Sequence, residues 1–81
     1  MGKHEKLIKR IFEGKTDITP DEAANILKKL DFKSTATSGS HRTFRKHNRQ
    51  SVTIILTQNP LKPYLVEKLQ DTLKQEGYSN G

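Results

Sequence analysis

The sequence contains no cysteine, and only 31% of its 81 residues are hydrophobic. Without cysteine the chain can form neither a disulfide framework nor a thiolate metal site. Its apolar stretches fall short of the roughly 20 residues that cross a bilayer. Residues 1–5 show no apolar signal segment. We therefore expect a single domain over residues 1–81 with one thin core, no membrane partner and a cytoplasmic location.

Acidic residues are missing from the middle of the chain. All nine Asp and Glu residues lie outside residues 32–66, whereas six of the fifteen Lys and Arg residues lie inside. The other nine cations balance the nine acids, so the formal net charge of +6 belongs to this middle segment. A field of one sign attracts polyanions such as nucleic acid, the alternative being a solvated face that keeps the protein soluble. The six cations are Lys33, Arg42, Arg45, Lys46, Arg49 and Lys62.

Two helices are predicted before the middle segment. Over residues 3–13, apolar residues recur with helical spacing, and Gly14 suits the position after the last turn. The second helix has the strongest start signal in the chain, because Thr19 as N-cap and Glu22 three residues later form a capping box. Its apolar positions extend the helix to about Leu30.

Three strands are predicted in the middle segment, at residues 32–37, 41–46 and 51–56. They are separated by turn-forming residues, which predicts an antiparallel meander. In the first strand, simple alternation places Phe32, Ser34 and Ala36 on one face.

A final helix is expected over residues 63–76, where a proline stands at the first helical position. The fold class is therefore α+β in the order α-α-β-β-β-α, a three-stranded antiparallel sheet with helices on one face.

The turn before the second strand carries the candidate functional residue. Gly39 can adopt positive φ, and the serines on either side of it can bond the turn's own backbone. Side chains in the following strand alternate between His41, Thr43 and Arg45 on one face and Arg42, Phe44 and Lys46 on the other. Phe44 is expected to face the core. A histidine side chain, which titrates near neutral pH, suits acid–base work on a phosphodiester when it stands among fixed positive charges.

No metal site and no cofactor are predicted. The three histidines show no ligand spacing, and the middle segment offers no carboxylate. The chain has neither a phosphate-cradling glycine loop nor a nucleophilic Ser or Cys motif. The alternative interpretation of His41 is an ordinary turn residue whose ring bonds a carbonyl group.

Four segments together resemble the HicA toxin family, the small bacterial mRNA interferases of toxin–antitoxin pairs. The most specific is residues 38–45, Ser-Gly-Ser-His-Arg-Thr-Phe-Arg, in which an aromatic residue follows the Gly-Ser-His segment. Residues 26–32, 52–54 and 61–63 are weaker matches, but their order and spacing strengthen the similarity. The resemblance covers roughly residues 20–78.

The resemblance implies a fold similar to a double-stranded RNA-binding domain over residues 19–78, with the helix and loop of residues 1–18 as an addition. It implies metal-free RNA cleavage in which His41 is essential, and a partner antitoxin of the HicB type that covers the active site. The family often has Pro and His near the end of the third strand, where this chain has Ile55 and Thr57. A second, supporting histidine therefore has no counterpart here.

We expect a metal-independent endoribonuclease that cleaves mRNA. RNA supplies its own nucleophile, so the enzyme must remove the 2′-hydroxyl proton, support the leaving 5′-oxygen and stabilise the charge of the phosphorane. His41 is the expected general acid or base. Gly39, Ser40 and Arg45 are expected to support it, with Arg45 as the nearest cation because it shares a face with His41. All six cations of the middle segment are expected to bind RNA.

Two alternative functions remain open at this stage. A non-catalytic RNA-binding module would retard RNA with strong salt dependence and leave it intact. An adaptor would bind an acidic protein and show no RNA affinity. Base stacking is not expected, because Phe44, the one aromatic residue of the basic strand, is assigned to the core.

Overall fold

A computed structural model describes residues 3–14 and 16–78, with the backbone alone for Lys3, Ala36 and Thr37. The predicted α+β class and the α-α-β-β-β-α order are confirmed, with strand ends displaced by one residue. The strands form one antiparallel sheet in the order β1-β2-β3. Positions 1, 2, 15 and 79–81 of the predicted domain lie outside the described residues. The elements are α1 (Lys3–Phe12), α2 (Pro20–Lys29), β1 (Lys33–Ser38), β2 (His41–Arg45), β3 (Val52–Ile55) and α3 (Pro63–Gln75).

The capping box predicted for α2 is present and is tied to α1. The Thr19 hydroxyl accepts a hydrogen bond of 3.1 Å from the Glu22 N–H, and the Glu22 carboxylate accepts one of 3.0 Å from the Thr19 N–H. Arg10 of α1 donates to the same carboxylate at 2.7 Å. Burial alone would raise the pKa of Glu22, but the bonds from Thr19 and Arg10 lower it overall. The Glu22 carboxylate thus caps the first turn of α2 and also binds α1 through Arg10.

The core lies between the helices and one face of the sheet. Phe44 and Ile54 have no exposed surface and Val52 is 1% exposed, which confirms the prediction that Phe44 faces inward. The apolar side chains of α1 belong to the same cluster, so α1 shares the core instead of standing apart from it. Within residues 3–14 and 16–78, no helix combines the length and the apolar character needed to cross a bilayer.

A bulge interrupts β1 and changes the expected alternation. Ser34 is the Cα partner of Phe44, whereas Ala36 is the partner of Thr43, and the register shifts between these two pairs. Phe44 and Thr43 are adjacent residues that point to opposite faces of β2. Ser34 and Ala36 therefore occupy register positions on opposite faces, so the prediction that they share one face is wrong. The extra residue of a bulge causes this change.

The direction of α3 fixes which of its ends lies near His41. β3 ends at Ile55, the Cα partner of His41, so the loop to α3 starts at the His41 end of the sheet. At the other end of α3, Glu76 bonds to Lys46, the residue after β2. The first turn of α3 therefore lies toward His41, and its last turn lies at the opposite end of β2.

Candidate functional site

His41 stands at a hairpin corner and its side chain is exposed. The two-residue turn of Gly39 and Ser40 joins it to Ser38, its Cα partner on β1. Gly39 has a φ of 59°, as in the first central position of a type II′ turn, where glycine is favoured. The Ser40 carbonyl accepts a hydrogen bond of 2.7 Å from the Leu56 N–H. The imidazole is thus held by a defined turn and open to solvent.

The outer face of the sheet, which is the face away from the helices, is arranged in rows across the strands. In the first row His41 lies between Ser38 of β1 and Ile55 of β3. In the second row Thr43 and Thr53 are partners, and their hydroxyl oxygens are 3.2 Å apart. The surface around His41 is therefore made of small hydroxyl groups and one half-buried isoleucine.

The third row of the outer face holds two cations. Lys33 and Arg45 are Cα partners, and both side chains are exposed. Among the described residues, no acidic group bonds to either side chain. Like charges opposite each other on neighbouring strands are destabilising, so the pairing of these two cations adds nothing to the stability of the sheet. Arg45 shares the face of His41 as predicted, but it lies four positions further along β2, or about 13 Å along the strand.

Two of the six predicted RNA-binding cations are bound to α3. Lys46 Nζ lies 2.5 Å from a Glu76 carboxylate oxygen and donates to the Leu30 carbonyl at 2.8 Å. Arg49 Nε donates to the other Glu76 oxygen at 2.6 Å and its Nη2 to the Gln75 carbonyl at 3.2 Å. The cluster of Lys46, Arg49 and Glu76 ties the β2–β3 turn to the ends of α2 and α3. RNA binding by Lys46 and Arg49 stays a prediction, but both side chains are engaged by Glu76.

The Glu76 carboxylate is the shared acidic partner of the two cations in this cluster. Its side chain is 10% exposed. The bond from Lys46 lowers the pKa of Glu76, burial opposes that effect, and the bond from Arg49 adds to the lowering. The carboxylate is thus held in its charged form by Lys46 and Arg49. This pairing was not visible in the charge distribution along the sequence, because the acid lies outside the basic segment.

The last two predicted cations are placed apart from the outer face. Arg42 is the Cα partner of the fully buried Ile54, so it lies on the helix side of the sheet. Its Nε atom is buried and, within the described part of the chain, has no hydrogen-bond partner. Lys62 is the exposed N-cap residue of α3 and makes no side-chain cap bond. Of the six predicted cations, Lys33 and Arg45 are the two whose strand positions place them on the outer face with His41.

Tyr64 is an exposed aromatic residue that the sequence reasoning missed. It lies in the first turn of α3, and its side chain is 56% exposed. The sequence indicated its exposure, because Tyr64 falls outside the apolar stripe by which α3 packs on the core. That stripe consists of Leu65, Val66, Leu69 and Leu73.

The other two histidines lie away from His41. His4 is in the first turn of α1, and His47 is exposed in the β2–β3 turn. No group of three or more potential metal ligands occurs among the residues described. Comparisons of the chain with protein-family models, with curated proteins and with solved structures give no match.

Proposed function

We propose that this chain is the toxin of a bacterial toxin–antitoxin pair, an endoribonuclease that cleaves mRNA without a metal and uses His41 as general acid or base. The observation that carries the proposal is the position of His41, which is exposed at a hairpin corner on the same face as Lys33 and Arg45, two cations with no acidic partner among the described residues. The resemblance of residues 38–45 to the Gly-Ser-His segment of the HicA family supplies the biological class. It also supplies the partner, an antitoxin of the HicB type.

The reaction follows from the chemistry of RNA. His41 removes the proton of the 2′-hydroxyl, whose oxygen attacks the adjacent phosphorus as the bond from phosphorus to the 5′-oxygen breaks. The leaving oxygen takes a proton from the imidazolium or from water. The products are a 2′,3′-cyclic phosphate and a 5′-hydroxyl. Among the described residues no second titratable side chain bonds to His41, so one imidazole serves the whole reaction and slow turnover is expected.

Lys33 and Arg45 bind phosphates other than the reacting one. They stand in the third row of the outer face, about 13 Å along β2 from His41. An extended RNA strand that reaches both places its cleaved phosphate at His41 and a neighbouring phosphate at the cations. Such contacts hold the strand in register and carry no base specificity. Gly39 and Ser40 act through the turn that positions the imidazole.

The substrate requirement tests this proposal directly. We expect the protein, in EDTA, to cut an mRNA fragment and to leave intact both the DNA of the same sequence and the RNA with 2′-O-methyl groups. Only the unmodified RNA offers a free 2′-hydroxyl, and its fragments should end in 2′,3′-cyclic phosphate and 5′-hydroxyl groups. Cleavage of the DNA would contradict the mechanism, and intact RNA would contradict the assignment as an enzyme.

Lys33→Glu should change stability and RNA affinity in opposite directions. It replaces two like charges opposite each other by an ion pair, so we expect a gain of about 0.5 kcal/mol in the free energy of unfolding. RNA binding should weaken, and the slope of log K against log salt should decrease by about 0.7 for each phosphate of a single strand that the variant no longer neutralises. Thermal unfolding and gel retardation measure the two effects.

The matched control for Lys33→Glu is Lys9→Glu, which makes the same change in net charge. Lys9 is an exposed residue of α1, on the helix side of the sheet. The Lys9→Glu substitution should leave the salt dependence of RNA binding nearly unchanged. Equal reductions of affinity in the two variants would mean that RNA binding depends on net charge alone and that the outer face has no defined RNA-binding site.

A non-catalytic RNA-binding module is the second candidate function. It is favoured by the absence, in the described part of the chain, of an acid or base bonded to His41. The same outer face would then hold RNA through Lys33 and Arg45 without cutting it. Retardation that weakens strongly with salt, together with intact RNA after prolonged incubation, would select this candidate.

A further inference from the structure

Tyr64 is an exposed aromatic residue that takes no part in the buried core. More than half of its side chain, 56%, is open to solvent, and the helix buries its neighbours Leu65 and Val66 instead. The other exposed tyrosine, Tyr78, has a structural role, because its N–H donates to the Leu73 carbonyl at 3.0 Å and ends α3. Among the described residues, the ring of Tyr64 takes part in one side-chain hydrogen bond, which its hydroxyl accepts from Gln58.

The ring lies at the His41 end of the sheet. β3 ends beside His41, and the loop to α3 starts at that end of the sheet. The last turn of α3 is held at the opposite end by the bond of Glu76 to Lys46. The thirteen residues of α3 span about 20 Å, so its first turn is well separated from the cluster at its last turn. Tyr64 and His41 thus share one end of the molecule.

Hydrogen bonds connect Tyr64 to the row that holds His41. The Gln58 side-chain amide donates to the Tyr64 hydroxyl at 3.3 Å. The Gln58 N–H donates to the carbonyl of Ile55 at 3.1 Å, and Ile55 is the Cα partner of His41. The hydroxyl is therefore restrained while the residue stays 56% exposed, and an exposed aromatic ring held in this way can stack on a flat partner.

We propose that Tyr64 stacks on an unpaired base of the RNA at the His41 end of the sheet, near the phosphodiester whose cleavage His41 catalyses, and that the substrate is therefore single-stranded at the cleavage site. This inference depends on the proposed function, because it concerns the same bound strand. Stacking on an aromatic ring needs a base whose face is free, which a base inside a duplex does not offer. It tolerates any base, since each has a π-face.

The tyrosine content of the chain provides a direct measurement. The sequence has two tyrosines and no tryptophan, so Tyr78→Phe leaves Tyr64 as the one emitter and Tyr64→Phe leaves Tyr78. Both are prepared in a His41→Ala background so that the RNA survives the titration. We expect a single-stranded RNA of about ten nucleotides to quench the emission of Tyr64 strongly. The emission of Tyr78 should not change, and inorganic triphosphate should quench neither.

Binding by substituted proteins separates stacking from charge. Tyr64→Ala and Tyr64→Leu should bind single-stranded RNA about 5- to 150-fold more weakly than the unsubstituted protein, whereas Tyr64→Phe should bind it nearly normally. None of the three should alter the slope of log K against log salt, because each keeps the charge of the protein unchanged. Normal binding by Tyr64→Ala, or unquenched Tyr64 emission in a complex that gel retardation detects, would overturn the proposal.

The two proposals fail in different ways. Quenching of Tyr64 by an RNA that the unsubstituted protein never cuts would overturn the nuclease and leave the stacking role intact. Cleavage that depends on His41 but not on the ring at position 64 would overturn the stacking role alone. Equal binding of a duplex and a single strand by every Tyr64 variant would also overturn the single-stranded substrate.

Discussion

Replacing His41 with alanine is expected to reduce the rate of RNA cleavage by about 10²- to 10⁴-fold, the usual contribution of a positioned acid or base. RNA affinity should change little, because the cations that hold the strand lie in another row of the outer face. The side chain is exposed, so the fold should be unaffected. Single-turnover cleavage in EDTA, gel retardation and thermal unfolding measure these three quantities.

The chain contains a matched control for this variant. His47 is also an exposed histidine in a turn, but it lies beyond the other end of β2. His47→Ala should cleave RNA at the normal rate. Equal rates for the unsubstituted protein and His41→Ala would remove the enzymatic role of His41, and equal reductions in the two variants would show that a general effect of histidine removal had been measured.

Replacing Glu76 with alanine is expected to lower the free energy of unfolding by about 1–3 kcal/mol, since it removes the charge-assisted bonds of a part-buried cluster whose cations stay partly hydrated. Glu76 is 10% exposed and receives bonds from both Lys46 and Arg49. Glu67→Ala is the matched control, because Glu67 is an exposed residue of the same helix and should change stability by less than about 0.5 kcal/mol. Urea denaturation compares the two variants.

Acid should abolish the difference between Glu76 and its uncharged analogue. Lys46, and then Arg49, hold the pKa of Glu76 below its ordinary value of 4.5 against the opposing effect of burial. The unfolded chain therefore binds more protons than the folded protein in this range, and stability falls as the pH falls through the folded pKa. The unsubstituted protein should lose its advantage over Glu76→Gln below that range. A difference that stays constant down to pH 2 would contradict the charge-based explanation.

Local signals in the sequence predicted most of the fold. Thr19 and Glu22 indicated α2 through a capping box that both side chains form. Gly39 and Asn48 marked the two turns of the sheet, and both have positive φ, at 59° and 61°. Phe44 was assigned to the core from alternation alone and is fully buried. Each of these features depends on residues close together in sequence, which is why a single chain reveals them.

The candidate site was predicted less completely, because its charges are paired across the fold. The segment without acids made Lys46 and Arg49 look available, but their partner Glu76 follows 30 and 27 residues later. Counting charges along the chain cannot detect such a pair. Lys33 could be counted but not placed, since its position opposite Arg45 depends on the register set by the bulge in β1.

The cluster of Lys46, Arg49 and Glu76 also makes the two ends of the sheet differ in the contacts that hold them. At the end where the cluster lies, ion pairs join the β2–β3 turn to the end of α3, and a hydrogen bond from Lys46 to the Leu30 carbonyl joins it to the end of α2. At the His41 end, the loop of residues 56–62 is joined to its surroundings by individual hydrogen bonds, such as those from Leu56 to Ser40 and from Leu61 to Ile18. The described contacts thus hold the His41 end by hydrogen bonds and by buried side chains such as that of Leu61, whereas the opposite end also depends on ion pairs.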